Sequence, residues 1–151
     1  MYRVNVSAPD LVCVCVDRIK DGSPMGRLYD KYVPGGTEFV DAYDLLLKIE
    51  ATVQACNYPQ STTIYRTFGR EPAGRTEKKK VKQLVDGNEL MEKRGGLATF
   101  VIHVRYRQNS TWQGDIFWAE KQDKVFFRSV LEMLKLIDNA LDASGEMENQ
   151  K

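Results

Sequence analysis

Histidine occurs once in this chain, at position 103, and cysteine only at positions 13, 15 and 56. A zinc centre built from such a sparse set would need an unusual mixture of ligands, so no metal or cofactor is expected. An odd cysteine count without framework spacing also speaks against a secreted disulfide scaffold. No apolar run approaches the roughly 20 residues of a membrane span, and the opening MYRVNVSAPD lacks a signal-peptide core. A cytoplasmic protein is the expectation. Excess charge is missing too: 22 Lys and Arg stand against 21 Asp and Glu, a formal net charge of +1. That balance removes any strong general attraction to nucleic acid or anionic lipid. Nor is there a Gly-rich phosphate loop, HExxH, GxSxG or paired-carboxylate motif. The chain is expected to be non-enzymatic.

What is present is a pattern written twice. The 151 residues fit one domain, 1–151, large enough to fold without staples. Shifted forward by 88 residues, as Gly26 onto Gly114, the segment Val14–Glu50 lies on Ile102–Asp138 without a gap. Val16 meets Val104, Phe39 meets Phe127, Leu46 meets Leu134 and Ile49 meets Ile137. Chance would give about two identities in such a stretch at average residue frequencies. The punctuation of strand, turn, strand and helix coincides as well, which raises the signal.

In the second unit, LATFVIHVRYRQ alternates, with Phe100, Ile102, Val104 and Tyr106 on one face and His103, Arg105 and Arg107 on the other. QNST is a turn, and WQGDIFWAE returns as a strand that places Trp112, Ile116 and Trp118 together. Ser129 with Glu132 forms a capping box ahead of a helix whose apolar stripe runs through Val130, Met133, Leu134, Ile137, Ala140 and Leu141. The first unit repeats this with LVCVCVDRI, a KDGSP turn, MGRLYDKY, a VPGG turn and a helix capped by Asp41. The predicted fold class is α+β: tandem ββα units at 11–56 and 97–143 forming one antiparallel sheet, both helices on one face. The connector 58–96 should add an extra strand at 62–68, then a basic, mobile excursion from Arg70 to Gly96 with a short helix near Lys79–Leu84. The tail beyond Asp142 is expected to fray.

Candidate residues fall into three groups. His103, Arg105 and Arg107 with Phe117 and Cys15 lie on the sheet face away from the helices, and Tyr, Trp and Arg are enriched at interface hot spots. This face, or an open sheet edge, is the expected protein-binding surface, and a second copy is one candidate partner. Cys13 and Cys15 make that face mildly apolar, so the connector, the tail or a partner chain should cover it. The basic run Lys78, Lys79, Lys80 and Lys82 with Arg75 is the alternative: a cationic loop that could touch nucleic-acid phosphates alongside the hairpin arginines. A third reading, an enzyme around His103, would require carboxylates from elsewhere in the chain. The leading expectation is a small binding or regulatory module acting through protein–protein contact.

The stretch RYRQNSTWQGDIFWAEKQDKVFFRSVLEMLKLID resembles a family of small bacterial proteins that carry an RQN-x-x-WQG hairpin, then FRS and a helix ending in L-I-D. The resemblance covers about 40 residues and is fainter over PDLVCVCVDRIKDGSPMGRLY and YPQSTTIYR. It implies a bacterial origin and a compact cytosolic protein, and it carries no functional residues across.

Overall fold

A computed structural model describes residues 4–61, 65–69 and 81–149, with side chains to residue 144 at the C-terminal end. The element order is β1 (Val12–Lys20), β2 (Ser23–Tyr29), β3 (Thr37–Phe39), α1 (Ala42–Cys56), α2 (Gly87–Leu90), β4 (Ala98–Tyr106), β5 (Gln113–Trp118), β6 (Asp123–Phe127) and α3 (Val130–Asn149). The six strands form one antiparallel sheet in the order β3-β2-β1-β4-β5-β6. The class is therefore α+β.

Each long helix follows three strands rather than two. Thr37–Phe39 pairs with β2, and Asp123–Phe127 pairs with β5. Three residues are too few for period-two alternation to stand out, and the Phe126-Phe127 pair hid the alternation of β6.

Several details recur at the 88-residue offset. The β1–β2 register slips between Val16 and Arg18, and the β4–β5 register slips between Val104 and Tyr106. Gly26 lies opposite Val16 and Gly114 opposite Val104. A Cβ on Gly26 would drive into the Cys15 carbonyl, and one on Gly114 into the His103 carbonyl, so both bulged hairpins need glycine for close backbone approach. Ser23 Oγ accepts the Ala42 N–H at 2.9 Å, and Thr111 Oγ1 accepts the Val130 N–H at 2.9 Å. Asp41 Oδ1 accepts from Asp44 N–H at 2.7 Å, and Ser129 Oγ from Glu132 N–H at 3.1 Å.

One sheet face carries the larger core. Val12, Val14, Val16, Leu28, Phe100, Ile102 and Ile116 pack with Leu45, Ile49 and Val53 of α1 and with Met133, Ile137 and Leu141 of α3. Trp112 is buried there and Trp118 packs against it. On the opposite face Cys13, Cys15, Tyr29, Val101 and Phe117 are buried with Ala8, Leu11 and Leu90. The cover is thus the chain's own N-terminal segment and part of the connector.

The connector departs from expectation. Residues 62–64, and with them part of the expected extra strand, lie outside the described residues; residues 65–68 are not strand, and Ser61 makes an isolated bridge to Arg107. Residues 81–84 are not helical. The short helix is instead α2, which starts where Asp86 accepts the Asn88 N–H. Val85, Leu90 and Met91 lie on the second core, so this part of the connector is folded onto the sheet. Residue 142 does not end α3, which continues to Asn149.

Candidate functional site: a buried carboxylate–imidazole pair and an apolar helix face

The expected protein-binding set does not share one surface. Cys15 and Phe117 are buried beneath the cover, and Arg107 is buried with its Nε–H donating to the Pro59 carbonyl at 2.6 Å. Arg105 is half-exposed and donates to Asp115 Oδ2 at 2.6 Å. His103 and Arg105 remain neighbours, lining a cleft with Asn5, Asp115, Phe117 and Lys124. Of the basic group, Lys82 is exposed, while Arg75, Lys78, Lys79 and Lys80 lie outside the described residues.

The structure gives His103 a carboxylate that the sequence did not signal. Asp10, where the N-terminal segment enters β1, has no exposed side-chain surface, and its Oδ1 stands 3.4 Å from His103 Nε2. Among the described residues neither Asp10 oxygen nor His103 Nε2 has a hydrogen-bond partner. Burial pushes the Asp10 carboxyl up to about 7, opposed by the amides of Asp10 and Val104 and by the charges of Lys31 and Arg107. Burial, followed by the Arg105 charge, holds His103 below its usual value, against the pull of Asp115. The one sequence cue to Asp10 was an acidic residue at the mouth of the apolar run LVCVCV.

Other buried polar groups nearby are satisfied. Lys31 Nζ donates to the Val6 carbonyl at 2.6 Å, and the Tyr32 hydroxyl donates to the Pro9 carbonyl at 2.9 Å. Both bonds fasten the N-terminal segment. Asp30 accepts from the Tyr32 and Val33 amides and from the Thr52 hydroxyl, leaving neither oxygen unbonded. Burial raises the Tyr32 phenol to about 12, and burial raises the Cys56 thiol as well.

A second feature lies on the far side of α1. Its inner residues Leu45, Ile49 and Val53 face the core, yet its outward residues are also apolar. Tyr43 is 69% exposed and Leu47 44%, the exposed Ala51 continues the row, and Val40, just before the helix, is 59% exposed. A surface helix ordinarily turns polar residues outward. On α3, at the same offset, the exposed positions are Arg128, Leu131, Lys135 and Asn139. The outward row is thus apolar on α1 and mixed on α3, where the exposed Leu131 sits between Arg128 and Lys135.

No family model, curated protein or solved structure matches this chain. Function must be read from the geometry.

The cleft beside His103 holds about 50 Å³, room for water rather than for an organic substrate. No Ser, Thr or Cys side chain lines it among the described residues; its polar lining is Asn5, His103, Arg105, Asp115 and Lys124. The outward row of α1 offers apolar surface about 12 Å long, at the helical rise over the residues from Tyr43 to Ala51.

Proposed function

We propose that this protein is a non-enzymatic binding module acting through protein–protein contact, with the outward face of α1 as its contact surface. The observation that carries the reading is the exposed row Val40, Tyr43, Leu47 and Ala51. We read the chain as two copies of one unit, supported by the matched bulges, glycines and helix caps. Under that reading α3 is an internal control. Its matched row interleaves Arg128 and Lys135 with Leu131 and Asn139, so the unbroken apolar row on α1 is read as serving something other than the fold.

An apolar, uncharged helix row fits another apolar helix face, and the α1 of a second copy supplies one. Antiparallel pairing about a two-fold axis would set Tyr43 of one copy beside Ala51 of the other, around a central Leu47 pair. Such a contact is self-complementary because the row carries no charge. The occupant we commit to is therefore a second copy.

Sedimentation velocity over a wide concentration range tests this, comparing the natural chain with a Tyr43→Glu/Leu47→Glu double variant. A dimer that the double variant loses supports the reading. A natural chain that stays monomeric throughout overturns the choice of occupant. In that case, capture from lysate after nuclease treatment, unchanged in the double variant, would overturn the α1 surface altogether.

A further inference from the structure

Cys13 and Cys15 stand two residues apart on β1, and both thiols lie in the second core without exposed surface. Residues i and i+2 of a strand have Cα atoms about 6.6 Å apart, twice the rise per residue. The two Sγ atoms are nevertheless 4.0 Å apart, so the side chains lean towards each other along the strand. That backbone spacing is at the far limit for a disulfide, whose Cα atoms are usually about 4.4–6.8 Å apart. A converging thiol pair that is poorly placed to close on itself is well placed to close on an ion.

The surroundings select the ion. Among the described residues no three His, Cys, Asp or Glu side chains gather where they could hold a metal, which leaves zinc and the oxygen-seeking cations without a ligand set. Sulfur donors favour cuprous copper. A metal–thiolate bond of roughly 2.3 Å and an angle of about 120° set two sulfurs about 4.0 Å apart. The separation of Cys13 and Cys15 therefore suits a trigonal ion bound by both, with one position left. Met91, at the C-cap of α2, supplies a third soft donor: among the described residues it is the one methionine packed against this cluster. Charge matches as well. Arg27, Lys93 and Arg94 stand over this corner of the sheet against Asp17 and Glu120, one positive charge in surplus. Two thiolates around a cuprous ion carry one negative charge.

We propose that Cys13, Cys15 and Met91 form a cuprous-ion site beneath α2, a binding function independent of the α1 surface. Binding breaks two S–H bonds and forms two copper–thiolate bonds. The two protons pass to solvent, and the Met91 sulfur donates a lone pair. Copper stays in the +1 state throughout, so nothing is oxidised or reduced. The ion enters from the α2 side. That helix is four residues long, and short elements open locally at little cost, so Met91 can swing away while the sheet stays folded. The third thiol is a built-in control: Cys56 lies outside this cluster, its Sγ–H directed at the Val53 and Tyr58 carbonyls.

The natural chain, titrated under argon with cuprous copper against a chromophoric cuprous chelator, should withdraw one equivalent. Copper X-ray absorption should show three sulfur neighbours. Loading should also raise the midpoint of thermal unfolding, as binding to the folded state requires. Cys15→Ser should weaken binding by more than the roughly hundredfold that loss of a supporting group costs, and should remove the thermal shift. Cys56→Ser should change neither. Met91→Leu, which keeps the apolar packing, should lower the sulfur count to two. Absence of stoichiometric copper, no thermal shift on loading, affinity that survives in Cys15→Ser, or an equal loss in Cys56→Ser would each overturn the site. If Cys15→Ser does not fold, Met91→Leu decides: two remaining sulfurs support the proposal and three overturn it.

Discussion

Replacing Asp10 with Asn should stabilise the protein, and by more at alkaline pH than at acid pH. The carboxyl is raised from its ordinary 3.8 to about 7 by burial, and its side chain has no exposed surface. An acid with a raised folded value binds its proton in the folded state between those two limits while the unfolded chain has already released it. Folding stability from this group therefore falls as pH climbs from about 4 to about 7 and is flat above that. Roughly three units at 1.36 kcal/mol each set an upper figure of about 4 kcal/mol. Asn cannot ionise, has nearly the same shape, and can offer an N–H to His103 Nε2. The variant-minus-natural difference in unfolding free energy should thus grow by roughly 2–4 kcal/mol between pH 4.5 and pH 8. Urea unfolding followed by tryptophan fluorescence would measure it, because Trp112 is buried in the main core. The difference between variants cancels the other titrating groups common to both. A difference that stays flat with pH, or that shrinks as pH rises, would refute the burial argument.

The two hairpin glycines should behave alike: Gly26→Ala and Gly114→Ala each force a Cβ into a neighbouring strand's carbonyl, costing on the order of 3 kcal/mol or more, while Gly22→Ala meets nothing and is limited to its backbone strain of about 1 kcal/mol. Thermal unfolding of the three variants checks this, and similar losses at Gly22 and Gly26 would show that backbone approach is not what selects glycine there. Asp41→Ala and Ser129→Ala should each lower stability by about 1 kcal/mol, since both remove a side chain that caps the first turn of a long helix. Denaturant titration reads both, and a loss at one position alone would argue against equivalent caps.

Much of the architecture was legible locally. Strand alternation in LVCVCVDRI and LATFVIHVRYRQ, the turn residues between strands, the Asp41 and Ser129 caps and the 3.6-period stripes of both long helices are properties of neighbouring residues, and such patterns survive in one dimension. The strands β3 and β6 were not readable because Thr37–Phe39 is short and because Phe126-Phe127 resembled the lead-in to a helix. The short helix was misplaced for a related reason: a lysine run has good intrinsic propensity, but DGNEL carries the capping aspartate and the apolar anchor Leu90 that tertiary packing rewards.

The candidate sites depended on distance in space. Cys15 and Phe117 were expected on a face that something covers, and the sequence pattern shows that they point away from the helices but not that residues 4–11 join part of the connector in burying them. Asp10 and His103 lie 93 positions apart and meet because β1 and β4 are adjacent in the sheet. The apolar row on α1 could be seen as residues, but its outward direction is set by which side of the helix meets the sheet. By itself the sequence determined the periods and the caps, because these follow from backbone geometry acting over a few residues. The tertiary structure alone decided which groups lost their water and which stayed at the surface, because solvation is fixed by neighbours distant along the chain.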